Sequence, residues 1–529
     1  MPSNEASVII GEAQNDWKVD PSVFAFTPRK LRVVCIGAGI SGLTVAYKLK
    51  HEKPLDFVDL IIYEKNPEVG GTWFENVYPG VEGQLKQDCY QFPFAPNPSW
   101  SSYYATGKEI QEYIVSTAEK YDLYEKVNFN TKLVKAVWSE MQGKWKLQLK
   151  QCEVVLEDEA DIILDGSGVL KKKIAVIGNG SSGIQVIPSL QPKAVKLVNY
   201  IRHATWITPN ICGRQTRDGM GTNFQYTEEE KQHFRDNPEE LLEYRKSIEG
   251  AVNAVYALMI SGSEENKALY EWVHEVMRSR LSKKPELIKA LIPTYEIGCR
   301  RIGPGDGYLE AIQEDNARVT FSKIKRITPN GIETDEGEEL FDLIVCATGF
   351  NYSFIPPWEL IGRDGRRLDE EWKDTPEAYF ATCAAGVPNY FMFCGPNYPI
   401  GHGSIPAALY FSAGYMLDWI EKIATEDIKS VVVKDSVVRD YNKFAQETLK
   451  RCVWSKGCHT WYSKRKEGPD NIVTAMYPGS ILHFKVCMEK LRPEDFEIQY
   501  NTSNPFRFMG NGELAFERKP GADLAFYLK

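Results

Sequence analysis

The chain has 529 residues, of which 43% are hydrophobic and 26% charged, and its formal net charge is −9. Such a length predicts two to four domains, and the composition is that of an ordinary globular protein. The acidic balance, with no basic patch, excludes a nucleic-acid-binding surface. No apolar run reaches the ~18 residues that a membrane span needs, and the seven histidines lack metal-ligand spacing.

The eleven cysteines are an odd number and include no Cys-x-x-Cys pair. They predict reduced thiols in a cytoplasmic protein rather than a disulfide framework. Residues 1–30 read as an arm, with Trp17, Phe24 and Phe26 available to anchor it; Met1–Asp20 is too polar for a signal or transit peptide.

From Leu31 the pattern is β-α-β. The apolar run Val33–Ile36 leads into Gly37-Ala38-Gly39-Ile40-Ser41-Gly42, a dinucleotide fingerprint in strand–turn–helix context. Its first glycine permits the tight turn, the second admits a pyrophosphate, and the third lets helix pack on strand. A second apolar run, Phe57–Tyr63, ends at Glu64, placed to hold a ribose. Gly70-Gly71-Thr72-Trp73 follows, then an aromatic and proline-rich stretch. Gly107–Tyr121 has helical spacing, Val134–Leu149 alternates like a hairpin, and Asp161–Asp165 reads as a strand.

A second fingerprint, Gly178-Asn179-Gly180-Ser181-Ser182-Gly183, lies 141 residues beyond the first and follows Ile174–Ile177. Residues 211–295 are polar and helix-rich, and Thr227 with Glu230 has the form of a capping box. Asp342–Cys346 reads as a buried strand that ends in the small-residue turn Ala347-Thr348-Gly349 and returns to the first domain. The fold class is therefore α/β, with two Rossmann-like dinucleotide-binding domains, of FAD and NADP type, and a helical insertion. The expected boundaries are an arm over 1–30, the first part of an FAD-binding domain over 31–170, and an NADP-type domain over 171–340 with its insertion at 211–295. The remainder of the FAD domain and a C-terminal region fill 341–529.

These motifs combine with Tyr78-Pro79-Gly80, Gly298-Cys299-Arg300-Arg301, Gly305-x-Gly307-Tyr308-Leu309-Glu310, Gly395-Pro396-Asn397, Gly401-His402-Gly403-Ser404 and Trp454-x-x-Gly457-Cys458-x-x-Trp461-Tyr462. Together they span most of residues 30–510 and resemble the flavin-dependent Baeyer–Villiger monooxygenases, most nearly the fungal secondary-metabolism branch. The resemblance implies bound FAD, reduction by NADPH, and insertion of oxygen beside a ketone carbonyl to give an ester or lactone. It assigns Gly37, Gly39, Ser41, Gly42, Glu64, Gly71, Thr72, Trp73 and Asn397 to the flavin. Gly178, Gly180, Ser182 and Gly183 go to the nicotinamide nucleotide, with Arg202 and Arg300 on its 2′-phosphate. Arg301 matches the family's active-site arginine, whose planar cation stabilises developing oxygen anions. His402 stands as an acid, base or hydrogen-bonding group near the flavin. Cys299 and Cys458 are expected to pack.

Two departures accompany these matches. The family's linker signature, Phe-x-Gly-x-x-x-His-x-x-x-Trp, is absent, since no histidine lies between His51 and His203. Only Val169–Lys173 join Gly168 to Ile174, a reach of at most ~17–18 Å. The family's Cys-Asp after Tyr-Pro-Gly is replaced by Gly83-Gln84. Gln84 can bond Arg301 without neutralising it, and Asp88 is the nearby carboxylate that can substitute. Three functions follow. The first is an oxygenase acting on a ketone of a bulky lipophilic natural product, as monomer or dimer. The second is an atypical flavoprotein catalysing a redox-neutral rearrangement, isomerisation or cyclisation. The third is a relative that has lost catalysis and acts as a binding protein.

Overall fold

The computed structural model describes residues 18–82, 90–166, 176–209, 216–219, 221–349, 351–458, 460–464 and 471–528. Its central sheet is parallel and built from runs buried on both faces, which is why they read as continuous apolar stretches rather than alternating ones. Strand β1 (Leu31–Ile36) lies between β2 (Val58–Tyr63) and β7 (Ile162–Asp165); Tyr390–Met392 flanks β7, and β3 (Val127–Asn128) flanks β2. All four pairings are parallel, so the carboxyl ends at Ile36, Tyr63, Asp165 and Met392 gather on one edge. Ligands of open α/β sheets bind at that edge.

Helix α1 (Ile40–Tyr47) starts directly from the first turn. It packs beneath the Ile405–Thr425 helix, an apolar 21-residue element whose burial seals one face of the sheet. The other face is covered by an antiparallel meander, β4 (Thr131–Ser139), β5 (Lys144–Gln151) and β6 (Val154–Ala160). The expected hairpin is β4–β5, with Trp138 opposite Trp145 and their rings edge to face. Strand β6 was not legible as a strand: its outer residues are exposed, and pairing with β5 holds it in place. Arg32 ties the two sheets, bonding Asp59 at 2.7 Å and Asp158 at 2.8 Å.

The second unit pairs β8 (Leu197–Tyr200) in parallel with Ala317–Thr320 and carries α4 (Ser181–Leu190). Of the expected strand before its turn, Ile174 and Ala175 lie outside the described residues. Val176 and Ile177 make single bridges, to Cys346 and Tyr200. The expected strand Asp342–Cys346 is not formed as such: Leu343 is 66% exposed and only Cys346 is bridged. Asp342 and Leu343 face solvent, so the first half of the run is not the buried strand that its apolar residues predict. The segment also joins the second turn rather than the first unit, with the Ile177 amide donating to the Val345 carbonyl at 2.7 Å.

The polar 211–295 stretch contains α5 (Glu228–Asp236), α6 (Pro238–Ala254) and α7 (Glu264–Arg280). The capping box is present: the Glu230 amide donates to Thr227 Oγ1, and the Thr227 amide to Glu230 Oε2. Helix α6 buries Ile248 and Val252 against Tyr103 and Tyr104, while α7 buries Val273 and Met277 on the second unit. The helical block thus spans both nucleotide units. The arm residues Ala25 and Phe26 bond Glu513 and Phe508, so the described part of the arm packs on the C-terminal segment.

A Cβ added at Gly42 would overlap the Gly37 carbonyl. Gly42→Ala should therefore strain the first turn and lower stability by about 1–3 kcal/mol. The check is the urea midpoint of the purified variant; an unchanged midpoint would show that the turn relaxes freely.

Candidate active site

The first turn is closed by Glu64, buried at the end of β2. Its Oε2 accepts from the Ala38 amide at 2.7 Å and its Oε1 from the Asn66 amide at 2.9 Å. Each oxygen keeps a lone pair for a sugar hydroxyl. The Gly70 amide donates to the Ala38 carbonyl, which lays the Gly70–Trp73 turn on the fingerprint. A Cβ at Gly71 would come within 3.1 Å of Gly39 Cα. Glycine at both positions leaves a bare backbone cradle at the start of α1, where free N–H groups and the helix dipole favour a phosphate. Ser41 lies beside Gly166 on the other wall.

Thr72 opens the short helix α2 (Thr72–Glu75). The Trp73 ring meets Tyr90 edge-on at 5.5 Å, and its buried indole N–H has no partner among the described residues. Asn397 adopts φ +61, one of several non-glycine residues in the left-handed region after the Tyr390–Met392 strand. Its amide nitrogen donates to the Val473 and Met476 carbonyls, and its buried Oδ1 has no partner among the described residues. Backbone strain of this kind collects at functional sites. The residues thus fit a flavin dinucleotide: a cradle that side chains would fill, a carboxylate for its ribose, and unsatisfied buried polar atoms.

The second turn has the same construction. The Gly178 amide donates to the Tyr200 carbonyl at 2.8 Å. A Cβ at Gly178 would meet Ala347 O at 2.5 Å, whereas one at Gly180 would meet nothing within 4 Å among the described residues, which leave the phosphate face open. Ser182 and Gly183 lie in the first turn of α4. Arg202 is exposed just beyond β8. Arg300 reaches the same loop, donating to Ala204 O and Thr205 Oγ1, both at 3.3 Å, with its guanidinium 5.6 Å from the Tyr295 ring.

Arg301 is exposed and, among the described residues, makes no hydrogen bond or ion pair. Its charge reaches two tyrosines: burial pushes Tyr78 and Tyr462 upward, and the Arg301 guanidinium opposes that in both. Gln84 and Asp88 lie outside the described residues, as does Val169–Lys173. Burial pushes the Glu82 carboxyl, just after Tyr78, up to about 7, and the nearby Asp306 charge adds to this.

His402 is buried between the Tyr256 ring at 4.9 Å and the Trp454 ring at 6.1 Å. Neither ring nitrogen has a hydrogen-bond partner among the described residues. Burial pushes its pKa down to about 4; the Gly479 backbone opposes this but not in hydrogen-bond geometry. A neutral imidazole can give or take one hydrogen bond but carries no charge near neutral pH.

Sequence reasoning expected reduced thiols. Instead, Cys299 and Cys458 form a disulfide across 159 residues, joining the Arg300–Arg301 loop to the C-terminal segment. Both residues were visible in their motifs, but nothing local indicated that the two loops meet. Tyr78, Gln185 and Tyr256 were also missed; each acquires its place only through distant contacts.

A model of the NAD(P)-binding Rossmann-like domain matches residues 35–106, around the first turn. The FAD-binding monooxygenase tazF of Aspergillus terreus is 60% identical, with all of both chains covered. The chain belongs to the FAD-binding monooxygenases. A Baeyer–Villiger monooxygenase of Pseudomonas aeruginosa belongs among its relatives, 31% identical over 91% of this chain and 94% of the other. The OTEMO complex with FAD and NADP superposes with a TM-score of 0.75, covering 89% of this chain and 100% of that one. At 21% identity that likeness establishes the fold: this monooxygenase has the two-Rossmann architecture expected from the fingerprints. No helix of the described residues is long and apolar enough to cross a membrane, and no group of three or more His, Cys, Asp or Glu among them could hold a metal.

Two outcomes follow. His402 ordinarily titrates at 6.5, so below that pH the unfolded chain takes up a proton that the folded one refuses until about 4. Stability from this group is complete above 6.5 and is lost as pH falls toward 4, by about 3 kcal/mol in all. Urea unfolding from pH 7 to 4 should fall more steeply for the wild type than for His402→Gln; parallel slopes would refute it. A non-reducing digest should yield the Cys299 and Cys458 peptides joined, and Cys299→Ser should lower stability by about 2–4 kcal/mol. Alkylation of both thiols in untreated protein would exclude the bond.

Proposed function

We propose that this FAD-binding monooxygenase is a Baeyer–Villiger enzyme that uses NADPH and acts on a ketone of a bulky lipophilic natural product, in the cytoplasm. The observation that carries the reading is the Arg301 cation, exposed and without an ion pair among the described residues, in the same loop as Arg300, which reaches the loop after β8.

In this reading Gly37, Gly39 and Gly42 with Gly71 hold the flavin pyrophosphate on the amides of α1, Ser41 adds a hydroxyl, and Glu64 accepts from the ribose. Thr72, Trp73 and Asn397 border the ring system. Gly178, Gly180, Ser182 and Gly183 hold the nicotinamide nucleotide, and Arg202 and Arg300 take its 2′-phosphate, a task suited to planar, bidentate cations. Bound FAD supplies electron transfer from NADPH and activation of oxygen. Arg301 stabilises negative charge developing on oxygen next to the substrate carbonyl. Neutral His402 offers one hydrogen bond from an apolar wall of Tyr256, Trp454 and Met476, whose chemistry suits a lipophilic substrate. The boundaries near residues 30, 170 and 340 remain our division of the chain. Gln84 and Asp88 are outside the described residues and take no part in this reading.

Anaerobic NADPH should bleach the flavin absorbance, and readmitted oxygen with a ketone should give one inserted oxygen atom. Arg301→Ala should keep the flavin and lower kcat by about 10²–10³. Turnover that needs neither NADPH nor oxygen would replace this reading with the redox-neutral one, which the missing linker signature favours.

A further inference from the structure

From Asn501 to Leu528 the chain runs over the surface, and none of these residues is buried. It forms two short turns, Pro505–Met509 and Ala515–Arg518, and neither buries a side chain. The N-terminal arm is woven into this segment. The Asn511 amide donates to the Val23 carbonyl at 2.8 Å, and the Ala25 amide to the Glu513 carbonyl at 2.9 Å. A Cβ at Gly510 would come within 2.4 Å of the Phe24 carbonyl carbon. Rings continue the contact: Phe26 meets Phe508 at 5.5 Å, Phe508 meets Phe506 at 6.3 Å, and Phe516 meets Phe526 at 5.3 Å.

Side chains that a core would normally take are turned outward here. Phe506, Met509, Leu524, Phe526, Tyr527 and Leu528 are 52–73% exposed, and Phe26 of the arm is 50% exposed. At ~200 Å² for a whole large side chain, these seven offer on the order of 800 Å² of apolar surface. The largest apolar patch of a monomer is commonly ~300–600 Å², whereas a stable complex covers about 800 Å² on each partner. Holding a segment in one conformation also costs backbone entropy. Among the described residues no burial offsets that cost from Asn501 onward, and a second surface would.

The charges select the occupant. The chain carries −9 overall, so two copies repel one another in most orientations. Residues 505–528 are balanced, with Arg507, Arg518 and Lys519 against Glu513, Glu517 and Asp523. Arg507 is paired with Asp427 at 3.0 Å, and Arg518 with Glu513. The face therefore has no excess of positive charge to hold an anionic surface and no excess of negative charge to repel its own kind. Every copy carries the same face, as a two-fold contact requires.

We propose that the C-terminal segment and the arm form the contact face of a homodimer, with Phe526, Tyr527 and Leu528 of each copy buried against the other. The dimer is independent of the monooxygenase reading, since none of these residues belongs to either nucleotide turn.

The test is the mass of the flavin-loaded, full-length protein by sedimentation equilibrium between about 1 and 100 µM. Wild type should be dimeric at the upper end and dissociate on dilution. Phe526→Glu combined with Leu528→Glu should weaken association about a hundredfold or more, with flavin content and kcat unchanged. Val195→Glu, at a side chain 98% exposed on the second unit, should leave the dimer intact. Hydrogen exchange reads the same face without any substitution: amides of residues 505–528 should lose about tenfold or more of their protection between about 100 and 1 µM. A wild type that stays monomeric throughout would overturn the proposal, whether the face then binds phosphatidylcholine vesicles or is covered by residues 1–17, whose removal would then produce the dimer. A dimer that the double variant leaves unchanged, or that Val195→Glu dissociates equally, would overturn it as well.

Discussion

Two turns set the geometry of this molecule, and both are closed by the same contact. The third glycine of each fingerprint lies against the carbonyl of the first, Gly42 on Gly37 and Gly183 on Gly178, with no room for a side chain. That contact fixes how each helix leaves its strand and so where its free N–H groups point. The parallel sheet gathers its carboxyl ends around the first turn; β8 and the Val345–Cys346 segment gather around the second. The remaining site residues are placed by what packs on these turns: Gly71 on Gly39, Ala347 on Gly178, and the Tyr78–Glu82 segment on α4.

The electrostatics of the site follow from that packing. Arg301 is exposed and makes no ion pair among the described residues, and the His402 imidazole is kept neutral by burial. Burial also holds the surrounding tyrosines protonated, so Tyr78 and Tyr462 are dipoles and donors, not anions. A cation beside neutral hydrogen-bonding groups is suited to stabilise negative charge that appears during a reaction. The disulfide between Cys299 and Cys458 holds the loop bearing Arg301 to the segment bearing Tyr462, which keeps the cation and its dipole in register.

The helical block shows how a polar insertion serves such a site. Thr227 and Glu230 announce where it starts, and the cap forms as read. Its role is set by its buried stripe: Ile248 and Val252 reach Tyr103 and Tyr104 on the flavin side, while Val273 and Met277 reach the second unit. Tyr256, at its turn, arrives against His402.

The sequence by itself determined the two turns, Glu64 after the second strand, the capping box and the hairpin over Val134–Leu149. Each depends on residues close in the chain, whose spacing is their geometry. It misjudged Asp342–Cys346, where an apolar run begins on the exposed Asp342 and Leu343, and the two cysteines, whose loops are 159 residues apart. Only the tertiary structure decided that Tyr78 meets Ser182 across 104 residues and that His402 is enclosed by Tyr256 and Trp454. Periodicity and turn chemistry encode how a segment folds on itself. They do not encode which distant segment will cover it, and in this protein that choice settles which side chains enclose His402 and meet Tyr78.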